Sequence, residues 1–210
     1  MSIEFTPEVI QSLKKALEKK GNEQAEQAVA ATGQANVNVP NDPASPAMDQ
    51  HRFISKDMLG QLSSQYTAEM YSSEIYKGIS MYCRSIGLEG FAKYYMDRAV
   101  EEAGHAKKFY EYVDSVDELL MMAPIPECKT TFGGILEVAA TALGHEKWVT
   151  TRIKQIADLA AKSDLYTLFF IEQFLKEQIQ EENDAKTLLQ RVQMADTGAG
   201  ILFLDHELKG

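Results

Sequence analysis

From residue 53 onward, apolar side chains return along the chain at alternating steps of three and four residues. This spacing lines one side of an α-helix and is typical of helices that pack lengthwise in a left-handed bundle. The pattern predicts an all-α protein with four long helices, over residues 53–85, 88–116, 132–160 and 164–193. A short fifth helix, ILFLDHEL, is expected after a break at Thr197-Gly198-Ala199-Gly200.

The connections between these helices predict their arrangement. Gly87 and Lys162-Ser163 mark two short connections, so the first two and the last two helices should each form an antiparallel hairpin. The middle connection, residues 117–131, contains two prolines, and its extended chain can span about 50 Å. A helix of about 28 residues is only about 42 Å long. The segment can therefore cross the whole bundle and make the second and third helices parallel.

The first fifty residues follow a different pattern. Thr6-Pro7-Glu8 is typical of a helix start, with a capping residue, a proline in the first turn and an early acidic side chain. A short amphipathic helix is predicted over residues 7–20. Residues 22–50 are small, polar and interrupted by prolines, as in a flexible linker. We therefore expect an N-terminal extension at 1–50 and a helical domain at 51–210.

Composition narrows the class of protein. The chain has 31 acidic and 21 basic residues, a formal net charge of −10, which argues against a nucleic-acid-binding surface and favours attraction of cations. No apolar run approaches the roughly 20 residues of a membrane span, and the first residues are too acidic and polar for a signal peptide. Cys83 and Cys128 have no metal-binding spacing and give no disulfide framework. These features predict a cytoplasmic protein without a membrane or nucleic-acid partner.

The most informative feature is where a few polar residues fall. The apolar residues set the phase of each predicted helix, and the bundle-facing line of each helix then contains a glutamate near its middle: Glu69, Glu102, Glu146 and Glu181. His105 and Gln178 lie on the same lines. Side-by-side packing would bring all six side chains to one level inside the bundle. Unrelated surface acids would fall on such a line only about two times in seven per helix, so chance is a poor explanation.

Four carboxylates at one buried level require compensation. Burying an ionised carboxylate without a partner is costly, and four together repel one another and cannot all stay ionised. Arg98 is the only cation on the four lines. Carboxylate oxygens with one imidazole nitrogen suit a divalent first-row metal ion such as iron. Taken alone, Glu102-x-x-His105 is more typical of a solvated helix face and Tyr76 of a core tyrosine; the agreement among four helices predicts a metal site.

Five segments of the chain resemble the bacterial non-haem ferritins. They are SSQYTAEMYSSEIY, RAVEEAGHAKKFYEYV, LGHEKW, EQFLKEQIQEE and GAGILFLDHEL, within a resemblance that covers roughly residues 55 to 208. This resemblance implies a ferritin-like four-helix bundle with one long crossover and a short C-terminal fifth helix. Residues 1–50 have no counterpart in typical members of that family.

The resemblance also implies a di-iron centre. By position, Glu69, Glu102 and His105 would bind the first iron. Glu102 would bridge to the second iron, which Glu146 and Glu181 would hold.

Two further residues gain roles from the same resemblance. Gln178 would lie at the metals and orient water or dioxygen, and Tyr76 would donate an electron or a hydrogen bond. The segment Gln178-x-x-Glu181 replaces the second Glu-x-x-His of other di-iron bundles, which counts against bacterioferritins and rubrerythrins. Ala103 stands where bacterioferritins place a haem-ligating methionine, so no haem is expected.

A third iron site, present in some bacterial ferritins, stays open. Glu101 and Glu177 match its carboxylates, but Gln180 stands where another glutamate is expected.

The implied function is iron storage. A ferroxidase reaction would oxidise Fe(II) with dioxygen or hydrogen peroxide, and the product would be deposited as a mineral inside a cage of 24 identical subunits. Two alternatives stay open: a di-iron oxidase or peroxidase that stores nothing, and a metal-free helical scaffold. The predicted helix 7–20 would either belong to a disordered tail or pack its apolar stripe, Val9, Leu13 and Leu17, on a neighbouring subunit or partner.

Overall fold

The computed structural model describes residues 52–195 and 197–209. These residues form five helices and no strand: α1 (Lys56–Ser85), α2 (Glu89–Ser115), α3 (Ile135–Ser163), α4 (Leu165–Met194) and α5 (Gly198–Glu207). The predicted all-α architecture is confirmed. None of the helices in this part of the chain is long and apolar enough to cross a membrane. The predicted extension at 1–50, with its helix 7–20, lies outside the described residues.

Side-chain caps determine where two of the long helices begin. The Ser55 hydroxyl oxygen accepts a hydrogen bond from the backbone N–H of Met58 at 3.1 Å, and the Asp164 carboxylate accepts one from that of Thr167 at 2.9 Å. Each bond satisfies a donor that the first helical turn leaves free. Asp164 alone separates α3 from α4, so α3 continues to Ser163. The Lys162-Ser163 pair is therefore helical, and the connection follows it.

The glycine-rich break predicted at residues 197–200 is wrong in its position. α5 already begins at Gly198, and the Thr197 hydroxyl oxygen accepts a hydrogen bond from the backbone N–H of Gly200 at 3.2 Å. This cap offsets the low helix propensity of glycine in the first turn.

The segment between α2 and α3, residues 116–134, runs along α1. Near its start, the backbone N–H of Met121 donates to the Ser63 hydroxyl oxygen at 3.1 Å. Near its end, the backbone oxygen of Lys129 lies so close to Gly78 that a Cβ there would be only 2.8 Å away. Ser63 and Gly78 are separated by about 22 Å along the helix axis. The segment therefore travels from one end of the bundle towards the other, which confirms the long crossover and the parallel course of α2 and α3.

The apolar core consists of two clusters at different levels of the bundle. One contains Ile79, Phe91 and Val138, and the other contains Leu62, Phe109 and Ile153. On each long helix, the predicted mid-helix glutamate lies between the residues of the two clusters. The polar level is therefore enclosed above and below by apolar side chains.

Helix α5 docks on the N-terminal end of α2. Gly90 has no Cβ, and a side chain there would collide with the backbone of Asp205. The Asp205 carboxylate, only 3% exposed, accepts a hydrogen bond from the backbone N–H of Phe91 at 3.0 Å. Leu88, which precedes α2, supplies no side-chain cap. Asp205 therefore caps α2 from a distant part of the chain, and its charge suits the positive end of the helix dipole.

Replacing Asp205 should destabilise the fold. Asp205→Ala leaves the buried N–H of Phe91 without its acceptor, and we expect a loss of about 1–3 kcal/mol in the free energy of unfolding. Asp97→Ala is the matched control, because Asp97 is an exposed aspartate of α2 that pairs with Lys93; its effect should stay within about 0.5 kcal/mol. Chemical denaturation at one protein concentration compares the two variants. Equal stability losses would contradict this role of Asp205.

Candidate metal centre

All four long helices contribute to one buried polar level. α1 supplies Glu69, α2 supplies Glu102 and His105, α3 supplies Glu146, and α4 supplies Gln178 and Glu181. Each of these six side chains is at most 6% exposed. The structure thus brings together every residue that the helical phase predicted for the interior site.

Two overlapping groups of ligand atoms occur within this level. Atoms of Glu69, Glu102 and His105 lie within 4.8 Å of one another, as do atoms of Glu102, Glu146 and Glu181. Glu102 belongs to both groups. This is the arrangement expected of two neighbouring cation positions that share one carboxylate; that these residues bind iron stays a prediction.

Neutral hydrogen-bond donors hold the Glu146 carboxylate. The Tyr76 hydroxyl donates to its Oε1. The side-chain N–H of Gln178 lies 3.3 Å from Glu146 Oε2 and 3.2 Å from the Thr150 hydroxyl oxygen. Burial, and then the charge of Glu146, raise the pKa of Tyr76 well above its usual range, so the phenol keeps its proton. Tyr76 and Gln178 therefore position a carboxylate without adding charge.

His105 lies at the boundary between the cluster and α4. Its Nδ1 is 3.3 Å from Glu102 Oε2, and its Nε2 is 3.5 Å from Glu177 Oε2. The ring packs edge-on against Phe174, with 5.6 Å between ring centroids. Aromatic packing and two carboxylates together hold the imidazole in place.

Burial dominates the electrostatics of the carboxylates. It raises the pKa of Glu69, Glu102 and Glu146, and neighbouring carboxylates raise those of Glu69 and Glu102 further. Burial and the charge of Glu146 raise the pKa of Glu181 to about 7. Bound protons or bound cations are therefore needed to offset the negative charge of these buried carboxylates.

Two carboxylate oxygens favour the binding of cations at this site. Glu69 Oε2 and Glu181 Oε2 are buried and have no hydrogen-bond partner within the described residues. Arg98 provides only partial compensation: its guanidinium is 3.6 Å from Glu181 but also contacts Glu101 at 3.0 Å and Asp184 at 3.7 Å. Oxygen donors in excess, with one imidazole, fit hard divalent first-row cations.

The residues considered for a third iron site have partners both outside and within the centre. Glu177 pairs with Lys108 at 3.1 Å, and Gln180 donates to Asp184 at 2.7 Å. Glu101 lies within 4.8 Å of ligand atoms of His105 and Glu181.

Sequence reasoning missed Gln65 and Arg152, which reach the centre from outside the bundle-facing lines. The side-chain N–H of Gln65 donates to Glu69 Oε1 at 2.7 Å, and Arg152 donates to Gln65 Oε1 at 2.9 Å. Gln65 precedes Glu69 by four residues, so the i, i+4 neighbour rule could have identified it. No local pattern points to Arg152, because it joins the other two only through the packing of α3 on α1.

A helical bundle of two hairpins joined by one crossover, with carboxylates and a histidine at its centre, places the protein in the class of ferritin-like helical proteins. Comparison with known proteins narrows this class. Residues 59–195 match the family model of the ferritin-like domain. The chain belongs to the ferritin family.

Individual relatives agree with this assignment. The bacterial non-heme ferritin of Staphylococcus haemolyticus is 34% identical over 153 residues, which cover 72% of this chain and 92% of that protein. That of Bacteroides fragilis is 31% identical over 157 residues, covering 74% and 98%. Among solved structures, the open-pore ferritin of the archaeon Archaeoglobus fulgidus gives a TM-score of 0.73 at 29% identity, covering 74% of this chain and 98% of that one. The resemblance to bacterial non-haem ferritins is confirmed.

The raised pKa of Glu181 makes the stability of the metal-free protein depend on pH. The pKa of the Glu181 carboxyl rises from its ordinary value of 4.5 in the unfolded chain to about 7 in the folded protein. Between these values the folded protein holds a proton that the unfolded chain releases. The associated stability is therefore complete below about pH 4.5, is lost as the pH rises through about 7, and amounts to about 3 kcal/mol.

Glu181→Gln should remove this dependence. We expect the metal-free variant to be more stable than the wild type at about pH 8, by up to about 3 kcal/mol, and nearly equal to it at about pH 5. Glu172→Gln, at an exposed carboxylate of the same helix, is the control. Denaturation at both pH values with a chelator present measures the difference. A Glu181→Gln gain that is the same at both pH values would contradict the assignment.

Proposed function

We propose that this chain is the subunit of an iron-storage ferritin that oxidises Fe(II) to Fe(III) at the buried cluster and keeps the product inside a cage of identical subunits. The observation that carries the proposal is the meeting of a buried carboxylate from each of four helices at one level, where two carboxylate oxygens have no hydrogen-bond partner among the described residues. Hard oxygen donors bind Fe(II) and favour Fe(III) more strongly, which makes oxidation of the bound ion easier.

Fe(II) is the substrate of this reaction. Glu69, Glu102 and His105 would hold one ion, and Glu102, Glu146 and Glu181 the other. Each Fe(II) gives up one electron. Dioxygen with two electrons and two protons yields hydrogen peroxide, and hydrogen peroxide with two electrons and two protons yields two water molecules.

The residues of the chain prepare the site for these ions. Because burial raises the pKa of the cluster carboxyls, the metal-free site retains protons that binding of a cation displaces. Tyr76 and Gln178 keep Glu146 oriented through their hydrogen bonds. The apolar clusters on either side limit the entry of water, which strengthens electrostatic attraction at the site. By the family resemblance, Gln178 would also orient water or dioxygen.

Storage requires an enclosed space that a single subunit does not provide. The ferritin relatives support a homo-oligomeric cage, and 24 subunits is the number that we propose. The surface agrees with assembly, because several large apolar side chains are more than 60% exposed on two helices: Leu165, Tyr166 and Phe169 on α4, and Leu202 and Phe203 on α5. Neighbouring exposed apolar groups, such as Leu165 and Tyr166, are common at protein interfaces.

Removing the shared carboxylate and the imidazole should stop rapid oxidation. We expect Glu102→Gln combined with His105→Ala to slow aerobic Fe(II) oxidation by more than about 100-fold. Loss of residues that only support metal ligands already reduces activity by about 10- to 100-fold, and loss of the ligands themselves should cost at least as much. Glu111→Gln is the control, since Glu111 is an exposed glutamate of α2 that pairs with Lys107. Stopped-flow absorbance of Fe(III) measures the rate, and circular dichroism checks the helices. Wild-type rates in the double variant would exclude this site.

Iron retention tests storage separately from oxidation. After aerobic loading with many Fe(II) ions per subunit, we expect iron and protein to elute together as one very large assembly in size exclusion. Rapid oxidation followed by loss of iron would instead favour the di-iron oxidase or peroxidase. If oxidation is not accelerated and no iron is bound, the helical scaffold is the remaining interpretation.

A further inference from the structure

The two oxygens of the Glu69 carboxylate have different environments. Oε1 accepts a hydrogen bond of 2.7 Å from the side-chain N–H of Gln65, whereas Oε2 is buried and has no partner within the described residues. Gln65 is itself fully buried, so this bond is shielded from water. Gln65 therefore anchors one oxygen of Glu69 and leaves the other available to a cation.

The orientation of the Gln65 amide is set by a third residue. An amide has an oxygen that accepts and a nitrogen that donates, and reversing it would turn the oxygen towards the Glu69 carboxylate. Arg152 Nε donates to Gln65 Oε1 at 2.9 Å. A guanidinium can only donate, so it selects the orientation in which the Gln65 nitrogen faces Glu69.

Arg152 is held from two further sides. Its Nη2 donates to the Ser64 hydroxyl oxygen at 2.8 Å, and its guanidinium carbon lies 4.9 Å from the centre of the Trp148 ring. Burial lowers the pKa of the guanidinium, and the Glu69 carboxylate acts on it in the opposite direction. Arg152 on α3 thus connects to the buried centre through Gln65 on α1.

We propose that Gln65 and Arg152 are positioning residues for the first cation position of the cluster: Arg152 selects the orientation of the Gln65 amide, and that amide orients Glu69 towards the cation. The inference rests on the proposed function, because it assigns these residues to the same site. Neither residue lies on the bundle-facing lines that identify the ligands.

Co(II) binding to the full-length, metal-free protein tests this inference, because the visible absorption of Co(II) reports its ligands. Arg152→Met keeps much of the side-chain length but removes every donor, and Gln65→Met removes the amide. We expect each variant to weaken Co(II) binding at the position that contains His105 by about 10- to 100-fold, with the other position unchanged. Arg152→Lys should recover part of the loss, because it restores the positive charge and a donor.

Lys154→Met is the matched control, since Lys154 is exposed on the same helix; it should bind Co(II) as the wild type does. Wild-type affinity at the His105 position in both Arg152→Met and Gln65→Met would overturn the inference. So would equal weakening of both positions, which is the result expected if the two residues only stabilise the fold. Wild-type protein that binds no Co(II) would overturn the proposed function and this inference with it.

Discussion

The structure depends on the meeting of four carboxylates at one buried level of a helical bundle. In a low-dielectric interior, such groups must either hold protons or share cations. Burial raises the pKa of Glu69, Glu102 and Glu146, while oxygens of Glu69 and Glu181 have no internal partner in the described residues. A bundle built only for stability would place apolar residues at this level, since replacing buried charges with apolar groups often stabilises a protein. We therefore attribute the polar level to the function of the protein and not to its stability.

The fold positions and stabilises the buried polar level. Two apolar clusters flank the polar level, so stability comes from the ends of the bundle while the middle is free for chemistry. The crossover along α1 allows α2 and α3 to run parallel, and all four helices can then present their midpoints to one another. Helix α5 stabilises one end by capping α2 through Asp205.

Neutral donors and positively charged side chains occupy different places around the centre. The groups that touch the cluster from inside the bundle, Tyr76 and Gln178, are neutral donors, and they orient Glu146 without competing for a cation. Positive side chains lie at the edges. The Arg98 guanidinium contacts Glu181, Glu101 and Asp184. Arg152 acts on Glu69 only through Gln65. The interior thus keeps an excess of carboxylates over positive side chains.

The sequence by itself determined the helical period, the phase of each helix and therefore which polar residues are buried, because these properties depend on neighbours within one or two turns. This was sufficient to predict the burial of Glu69, Glu102, His105, Glu146, Gln178 and Glu181, and the long crossover. Only the tertiary structure decided the contact between Arg152 and Gln65, and the capping of α2 by Asp205. Those contacts join residues that are distant in the chain, and they depend on how far each helix is shifted and rotated against the next, which no local pattern encodes. The starts of α4 and α5 were also decided by side-chain hydrogen bonds of Asp164 and Thr197, which outweighed the average propensities of the surrounding residues.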